Sequence, residues 1–458
     1  MARSKRSLPP DQPSGTVCPV SRTLNDFLAR RLTAQTRVGI ALSGGVDSVV
    51  LLHAIHRLRP HLPPFTLTAL HVHHGLSEQA DAWAAFCAAF CASLAIPLTI
   101  ERVDVPSRSD EGPEGAARRL RHALFSRYPA DWLALAHHRD DQAETVLFRL
   151  LRGSGVAGAA GMSDDRPTAG GPRLIRPLLS LSRAALLAYA QTHGLRWIDD
   201  DSNEDLRYRR NFLRHALMPR LTEEFPGAAE SLARAAGHFA EAAQLLDELA
   251  AIDRQTVSGA HGRIELKRFN ALPSARAGNL LRHEWRQAGF RAPEARWLAE
   301  AQRQLTTVDP SSEICLATVD GELHVYRGEL YALPHRPTPP ASTRILWNGE
   351  AALSWAGEPL SFTLGRGTGI SRHLLSQAPN VFKSRVGGER LQPDPRRPRR
   401  ALRKLLQEAA VPPWERRRLP LLWCGDRLVW VAGIGFDAAF ACAPSEEGID
   451  IVWGKPPP

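Results

Sequence analysis

No run of this 458-residue chain is long and apolar enough to span a bilayer, which takes about 20 such residues. The stretch Met1 to Ser21 is basic and Pro-rich without an apolar centre. It does not read as a secretory signal, and residues 1–24 are expected to be a disordered extension. Cysteine is scarce and scattered, at Cys18, Cys87, Cys91, Cys315, Cys424 and Cys442. The closest pair is a Cys-x-x-x-Cys on a predicted helix. This is neither a disulfide framework nor a zinc or iron–sulfur spacing. Buried thiols in a reducing cytoplasm are the expectation. No internal repeat is present.

What the chain has is length and positive charge. At 458 residues it exceeds one ordinary core, so two to three domains are expected. The formal net charge is +10, carried mostly by Arg, whose planar fork suits phosphate and base contacts better than Lys. Charge alone does not establish a nucleic-acid partner. Strands are predicted at 37–43, 66–72, 97–103 and 132–137, and helices at 46–58, 77–95, 114–127 and 140–152. That alternation implies βαβ units and a mainly parallel sheet, with ligands at the carboxyl ends of its strands. Residues 153–180, rich in Gly, Pro and Asp, read as a long mobile loop. A helix at 181–193 and a strand at 195–198 close the first domain, set at 25–215. Helical spacing of apolar residues predicts a helical middle domain at 216–333. A linker and connecting segment is expected at 334–374, and a basic α+β domain at 375–458.

The most informative segment is Ser43-Gly44-Gly45-Val46-Asp47-Ser48, which follows the apolar strand Val38 to Leu42 and opens an apolar-periodic helix. Adjacent glycines let backbone N–H groups line one concavity, and the helix start adds unpaired donors and a positive dipole end. Ser43 and Ser48 add hydroxyls, and Asp47 can hold Mg²⁺ against a polyphosphate. A plain capped turn would need only part of this set. The segment has neither the Lys of Gly-x-x-x-x-Gly-Lys nor the pattern Gly-x-Gly-x-x-Gly.

Three further stretches carry chemistry. In His137-His138-Arg139-Asp140-Asp141-Gln142-Ala143-Glu144-Thr145, Asp140 or Asp141 is expected to cap a helix. Asp141 and Glu144 share a face, able to hold Mg²⁺ or to deprotonate an amine; a solvated acidic first turn is the plainer alternative. Arg118 and Arg121, after Glu114, form an arginine pair suited to a carboxylate or phosphates, or a salt-bridged surface helix. In Asp199-Asp200-Asp201-Ser202-Asn203 with Arg207, Arg210, Asn211, Phe212 and Arg214, amide and guanidinium groups beside an aromatic ring suit RNA, though an ordinary acidic loop and helix start would also explain them.

The loop at 43–48 resembles the PP-loop of ATP pyrophosphatases. Together the four stretches are similar to one branch of that family, the tRNA(Ile)-lysidine synthases. The similarity also covers His71-Val72-His73-His74-Gly75-Leu76, Ala80-Asp81, Arg152 to Gly155, and C-terminally Arg385 to Arg390 and Pro412 to Arg416. Arg139 departs from the apolar residue expected there, and reads as surface variation. The resemblance implies an α/β fold, with a mainly parallel sheet in an adenine nucleotide α-hydrolase-like domain, then a helical domain and a small α+β domain. It implies ATP and Mg²⁺ (through Asp47), free L-lysine, and a tRNA(Ile) with a CAU anticodon whose first-position cytidine becomes lysidine. ATP binds at Ser43 to Ser48. Asp47, Arg118, Arg121, Asp141 and Glu144 are implied catalytic residues. Implied tRNA contacts are Asn203, Arg207, Arg210, Asn211, Arg214, Arg399, Arg400, Arg403, Lys404 and Arg416. No membrane partner is implied, and a homodimer is left open.

The basic run Arg385–Arg418 reads as a phosphate track, with Trp414 either stacking on bases or packed in a core. Rival readings fail on missing parts. A PP-loop sulfurtransferase needs reactive or cluster-binding cysteines near the loop. An amidotransferase needs a glutaminase domain or an N-terminal Cys. An RNA-binding protein on a dead nucleotide domain would not be expected to keep Asp47, Ser48, Asp141 and Glu144.

Overall fold

The structure, a computed structural model, describes residues 18–75, 77–106, 112–168, 170–199, 209–260, 262–307 and 314–454. The chain divides into two compact units, 1–248 and 249–458.

Helix α1, Pro19–Ala29, precedes strand β1, Arg37–Ala41, and helix α2, Val46–Leu58. Residues 19–24 are therefore helical rather than part of an extension. The reason is an amphipathic stripe: Val20, Leu24 and Leu28 are fully buried in the first core. Strand β2 is Thr66–His73, followed by α3 Ala80–Ser93, β3 Leu98–Arg102, α4 Gly112–Phe125, β4 Trp132–Ala134 and α5 Arg139–Leu151. The predicted loop at 153–180 holds a short helix α6, Val156–Ala159, and two strands, β5 Asp165–Arg166 and β6 Arg173–Ile175. Its short strands lacked a readable period, and bonds to α5 hold it. Gln142 exchanges two bonds with the Met162 backbone, and Arg149 Nη1 donates to the carbonyls of Gly158 and Gly161. Helix α7 is Arg183–Thr192. No strand forms at 195–198; instead Ile198 N–H donates to Gly44 O at 2.9 Å.

The sheet order is β3-β2-β1-β4-β6-β5, parallel except for β5. The order reverses between β1 and β4, so the crevice beyond their carboxyl ends is where this architecture binds ligands. The loop at 43–48 and His137-His138 both emerge there. The described part of the first unit continues through Arg209–Phe212, a π-helical turn Leu213–Leu217, and a helix Met218–Glu224. A long helix, Ala228–Val257, follows.

The segment expected to be a helical middle domain mixes helices with a four-stranded antiparallel sheet, β7 Ile264–Glu265, β8 Ile314–Ala317, β9 Gly321–Tyr326 and β10 Glu329–Pro334. Helices Ser274–Gln287 and Ala295–Thr307 contribute Leu280, Trp285, Leu298 and Leu305 to a core shared with Val325 of β9. The segment 334–374 is also more than a connector. Strand Arg344–Trp347 pairs with Asn380–Lys383, and Ala352–Trp355 pairs with Glu358–Arg366, which in turn pairs with Glu447–Trp453, burying Trp347, Trp355 and Leu360 in the C-terminal core. Within the expected basic α+β domain, a helix runs Leu402–Glu408.

Candidate active site

The loop is built around Gly44 and two serines. Gly44 has φ of 92°, and a Cβ there would lie 2.5 Å from Ile198 Cδ1. Conformation and space both require glycine. Ser48 Oγ donates to Gly45 O at 2.9 Å and accepts from Ser43 N–H at 3.2 Å. Gly45 occupies the N-cap of α2 with no side-chain cap, which leaves first-turn N–H groups for an anion. Val46 is buried, anchoring that turn.

Asp47 follows. Its Oδ1 is buried without a hydrogen-bond partner among the described residues. Burial, with Asp141 nearby, holds its carboxyl above the usual range against the pull of His138. A desolvated carboxylate oxygen with no donor, beside a second carboxylate, fits a hard divalent cation such as Mg²⁺.

His138 joins the loop to α5. It is 1% exposed, and its Nε2 lies 3.6 Å from Asp47 Oδ2 and 3.4 Å from Asp141 Oδ2. The N-cap of α5 is His138, not Asp140 or Asp141 as expected: Asp141 Oδ2 accepts from His138 N–H at 3.1 Å in a capping box. Asp140 instead accepts from Arg183 N–H at the start of α7. Burial alone would lower the His138 imidazole, but Asp140, Asp141 and Asp47 override it and raise its pKa. The reciprocal half of the box, Asp141 N–H to Nδ1, is 3.4 Å long and requires Nδ1 unprotonated. The three carboxylates favour the charged ring, and that half is the weaker. His137 behaves oppositely. Burial and the guanidiniums of Arg176, Arg210 and Arg121 push it down to about 3. It is neutral, with Nδ1 accepting from Arg176 Nε at 3.3 Å.

Asp141 and Glu144, 7% and 4% exposed, share a face as expected, and Arg210 and Arg214 lie on them. Arg214 Nη2 reaches Asp141 Oδ1 at 2.6 Å, and its Nε reaches Glu144 Oε1 at 2.7 Å. Arg210 adds contacts of 3.3 and 3.4 Å. Burial would raise Asp141, yet His138, Arg210 and Arg214 hold it below the usual carboxylate range. Sequence reasoning placed these arginines toward RNA. It missed that their spacing of four matches carboxylates three apart on another helix. Arg214 sits in the π-helical turn, a distortion common at functional sites.

Arg118 and Arg121 lie on α4. The charge of Arg121 is felt at His74 and His137 and that of Arg118 at Arg149 and Arg176, and both lower the neighbouring His122. Asn203 and Arg207 lie outside the described residues, as does the side chain of Glu114. Arg139 is no idle surface residue; it forms an ion pair with Glu230 at the start of the long helix.

In the second unit the arginines divide. Arg399 pairs at 2.6 Å with Asp437, which is fully buried. Arg400 pairs with Glu408, and Arg416 donates to Val411 O and the Tyr326 hydroxyl. Trp414 packs among the rings of His324, Tyr326 and Tyr331. Arg396, Arg397, Arg403, Lys404 and Arg417 are exposed.

A parallel sheet with a Lys-less glycine loop at its switch point, an orphaned Asp47 oxygen and a buried carboxylate pair beside it define a PP-loop nucleotide-binding protein. Family profiles agree: a PP-loop domain matches residues 18–221, a TilS substrate binding domain 265–331 and a TilS substrate C-terminal domain 382–453. Proteins named tRNA(Ile)-lysidine synthase are similar along nearly the whole chain. The one from Nitrosomonas europaea is 42% identical over 94% of this chain and 95% of its own. That from Aromatoleum aromaticum is 44% identical over 94% and 100%, and that from an Azoarcus species 43% over 91% and 92%. The chain belongs to the tRNA(Ile)-lysidine synthase family, tRNA-modifying ligases with an ATP-binding domain.

Proposed function

We propose that the protein joins free L-lysine to C2 of the first anticodon cytidine of a tRNA(Ile) with a CAU anticodon, using ATP and releasing AMP and pyrophosphate. Pairing then shifts from AUG to AUA. The observation that carries this is the buried Asp141–Glu144 pair, a cation site linked through His138 to the phosphate loop.

In the first half-reaction the cytidine C2 oxygen attacks the α-phosphorus of ATP. The leaving pyrophosphate is held by N–H groups within 44–48, with Ser43 Oγ lining the same loop and the Ser48 hydroxyl, bonded to Gly45 O, fixing its shape. Asp47 is suited to Mg²⁺, which when bound neutralises phosphate charge. The adenylated oxygen is then a good leaving group. In the second half-reaction the lysine ε-amine attacks C2, the C2–O bond breaks and AMP departs. That amine arrives as an ammonium of ordinary pKa near 10.4. Asp141 and Glu144 offer it a two-carboxylate seat that Arg214 fills in this structure. Displacing Arg214 removes one of the charges that, with His138 and Arg210, depress Asp141, and so favours proton uptake there. Arg118 and Arg121 supply positive charge for the lysine carboxylate or the phosphates. Asn203, Arg207, Asn211 and the exposed basic residues of the second unit are offered to tRNA.

Incubation with ATP, labelled lysine and tRNA(Ile) of CAU anticodon tests this. Label is expected in the tRNA with one AMP released per lysine. ATP cleavage without labelled tRNA would overturn it.

A further inference from the structure

Cysteine spacing in the chain gives no metal motif, but strand pairing creates one. Cys315 of β8 stands directly opposite His324 of β9, and Glu322, two residues before His324, shares its face. Cys315 Sγ lies 3.9 Å from His324 Nε2, which lies 2.7 Å from Glu322 Oε2. One donor atom from each of the three lies within 4.8 Å of the others. We propose that Cys315, Glu322 and His324 form a divalent transition-metal site, zinc by chemistry, with a fourth position open to water.

The donor set is one thiolate, one imidazole and one carboxylate, the mixture borderline cations prefer over Mg²⁺. A tetrahedral zinc with bonds of about 2.0–2.3 Å separates its ligands by roughly 3.3–3.6 Å. The Glu322–His324 pair would open by a few tenths of an ångström, and the Cys315–His324 distance would close by a similar amount. Two ligands are on adjacent strands of one sheet, and the third is two residues along, so the backbone fixes their spacing. The His324 ring, 5% exposed, is packed 4.3 Å from Trp414, which limits its rotation. Cys315 is exposed, giving an ion a path in.

A supporting shell is also present. His335, just past β10, lies 3.0 Å through Nδ1 from Glu322 Oε1, and its Nε2 donates to Thr318 O at 2.7 Å. That arrangement aims the carboxylate, as outer-shell partners of metal ligands do. On binding, the Cys315 thiol gives its proton to solvent, and bonds from the metal to the thiolate, to His324 Nε2 with the ring proton on Nδ1, and to the Glu322 carboxylate replace the S–H bond and the His324–Glu322 contact. The site is on β8 and β9 of the second unit, and none of its residues has a part in the ligation chemistry.

The test uses full-length protein stripped with chelator and titrated with Co²⁺. The expected result is thiolate-to-cobalt charge-transfer absorption saturating at one equivalent, displaced by Zn²⁺. The absorption should vanish in Cys315→Ser, an exposed substitution, with thermal stability of the metal-free protein retained. His335→Gln should weaken binding by about 10–100-fold. Absence of the band at stoichiometric Co²⁺, or its persistence in Cys315→Ser, would overturn the proposal.

Discussion

In the proposed reaction Glu144 belongs to the lysine-transfer step, while His138 ties Asp141 to Asp47 of the loop, and single substitutions test the two separately. Glu144→Gln removes one carboxylate of the amine seat while leaving Asp47 and the loop untouched. Lysine transfer to tRNA should fall by about 10²-fold or more, with tRNA-dependent pyrophosphate release near wild type. Equal losses in both would sink the assignment of Glu144 to the second step. His138 offers a pH test. Its folded pKa is raised, so its contribution to stability is full below the unfolded value of about 6.5 and lost as pH rises through the folded value. The difference in melting temperature between wild type and His138→Asn should therefore shrink from about pH 6 toward pH 8.5. A gap that grows with pH contradicts the charged ring. At this scale the sequence disclosed the carboxylates, because their spacing places them on one helix face. It did not disclose Arg214 as their partner, because that pairing spans 70 residues between Glu144 and Arg214 and no periodicity reports it.

At the scale of elements, legibility followed hydrophobic period. Strand β1, the loop and α2 were readable because an apolar strand, two glycines and a helical stripe follow one another without interruption. Strands β5 and β6, two and three residues long, lie among Gly, Pro and Asp and have no period to read. The sheet β7–β10 was hidden for another reason: β9 alternates, Glu322-Leu323-His324-Val325, but over only six residues, a short run beside long helical stretches. The loop supports a precise prediction. Gly44→Ala must place a Cβ at φ 92°, 2.5 Å from Ile198 Cδ1. The left-handed backbone alone costs about 1–2 kcal/mol, and relief of the clash shifts the loop. ATP affinity should drop at least about tenfold, roughly 1.4 kcal/mol, in isothermal titration. Unchanged affinity would mean that the loop does not cradle the phosphates.

For the whole molecule, the net charge of +10 acts through which arginines are available, not how many there are. Arg399 and Arg400, read from sequence as a phosphate track, are committed to Asp437 and Glu408. Arg403 and Lys404 of the same helix-centred segment remain exposed, as do Arg396, Arg397 and Arg417. Two substitutions therefore diverge. Arg399→Ala leaves the buried Asp437 carboxylate with the Gln392 and Ala439 N–H donors but without its guanidinium, and should lower stability by roughly 3 kcal/mol, the low end for breaking a buried pair, since Arg399 is itself partly exposed. It should leave the salt dependence of tRNA binding nearly unchanged. Arg403→Ala with Lys404→Ala should leave the melting temperature within about a degree, because surface changes typically cost under about 0.5 kcal/mol. If both residues contact phosphates, the slope of log K against log salt should become shallower by roughly 1.4–1.8. Filter binding across a salt series, run beside thermal denaturation, reads both quantities. A shallower slope in Arg399→Ala with none in the double variant would place the tRNA on the committed arginines and refute the division.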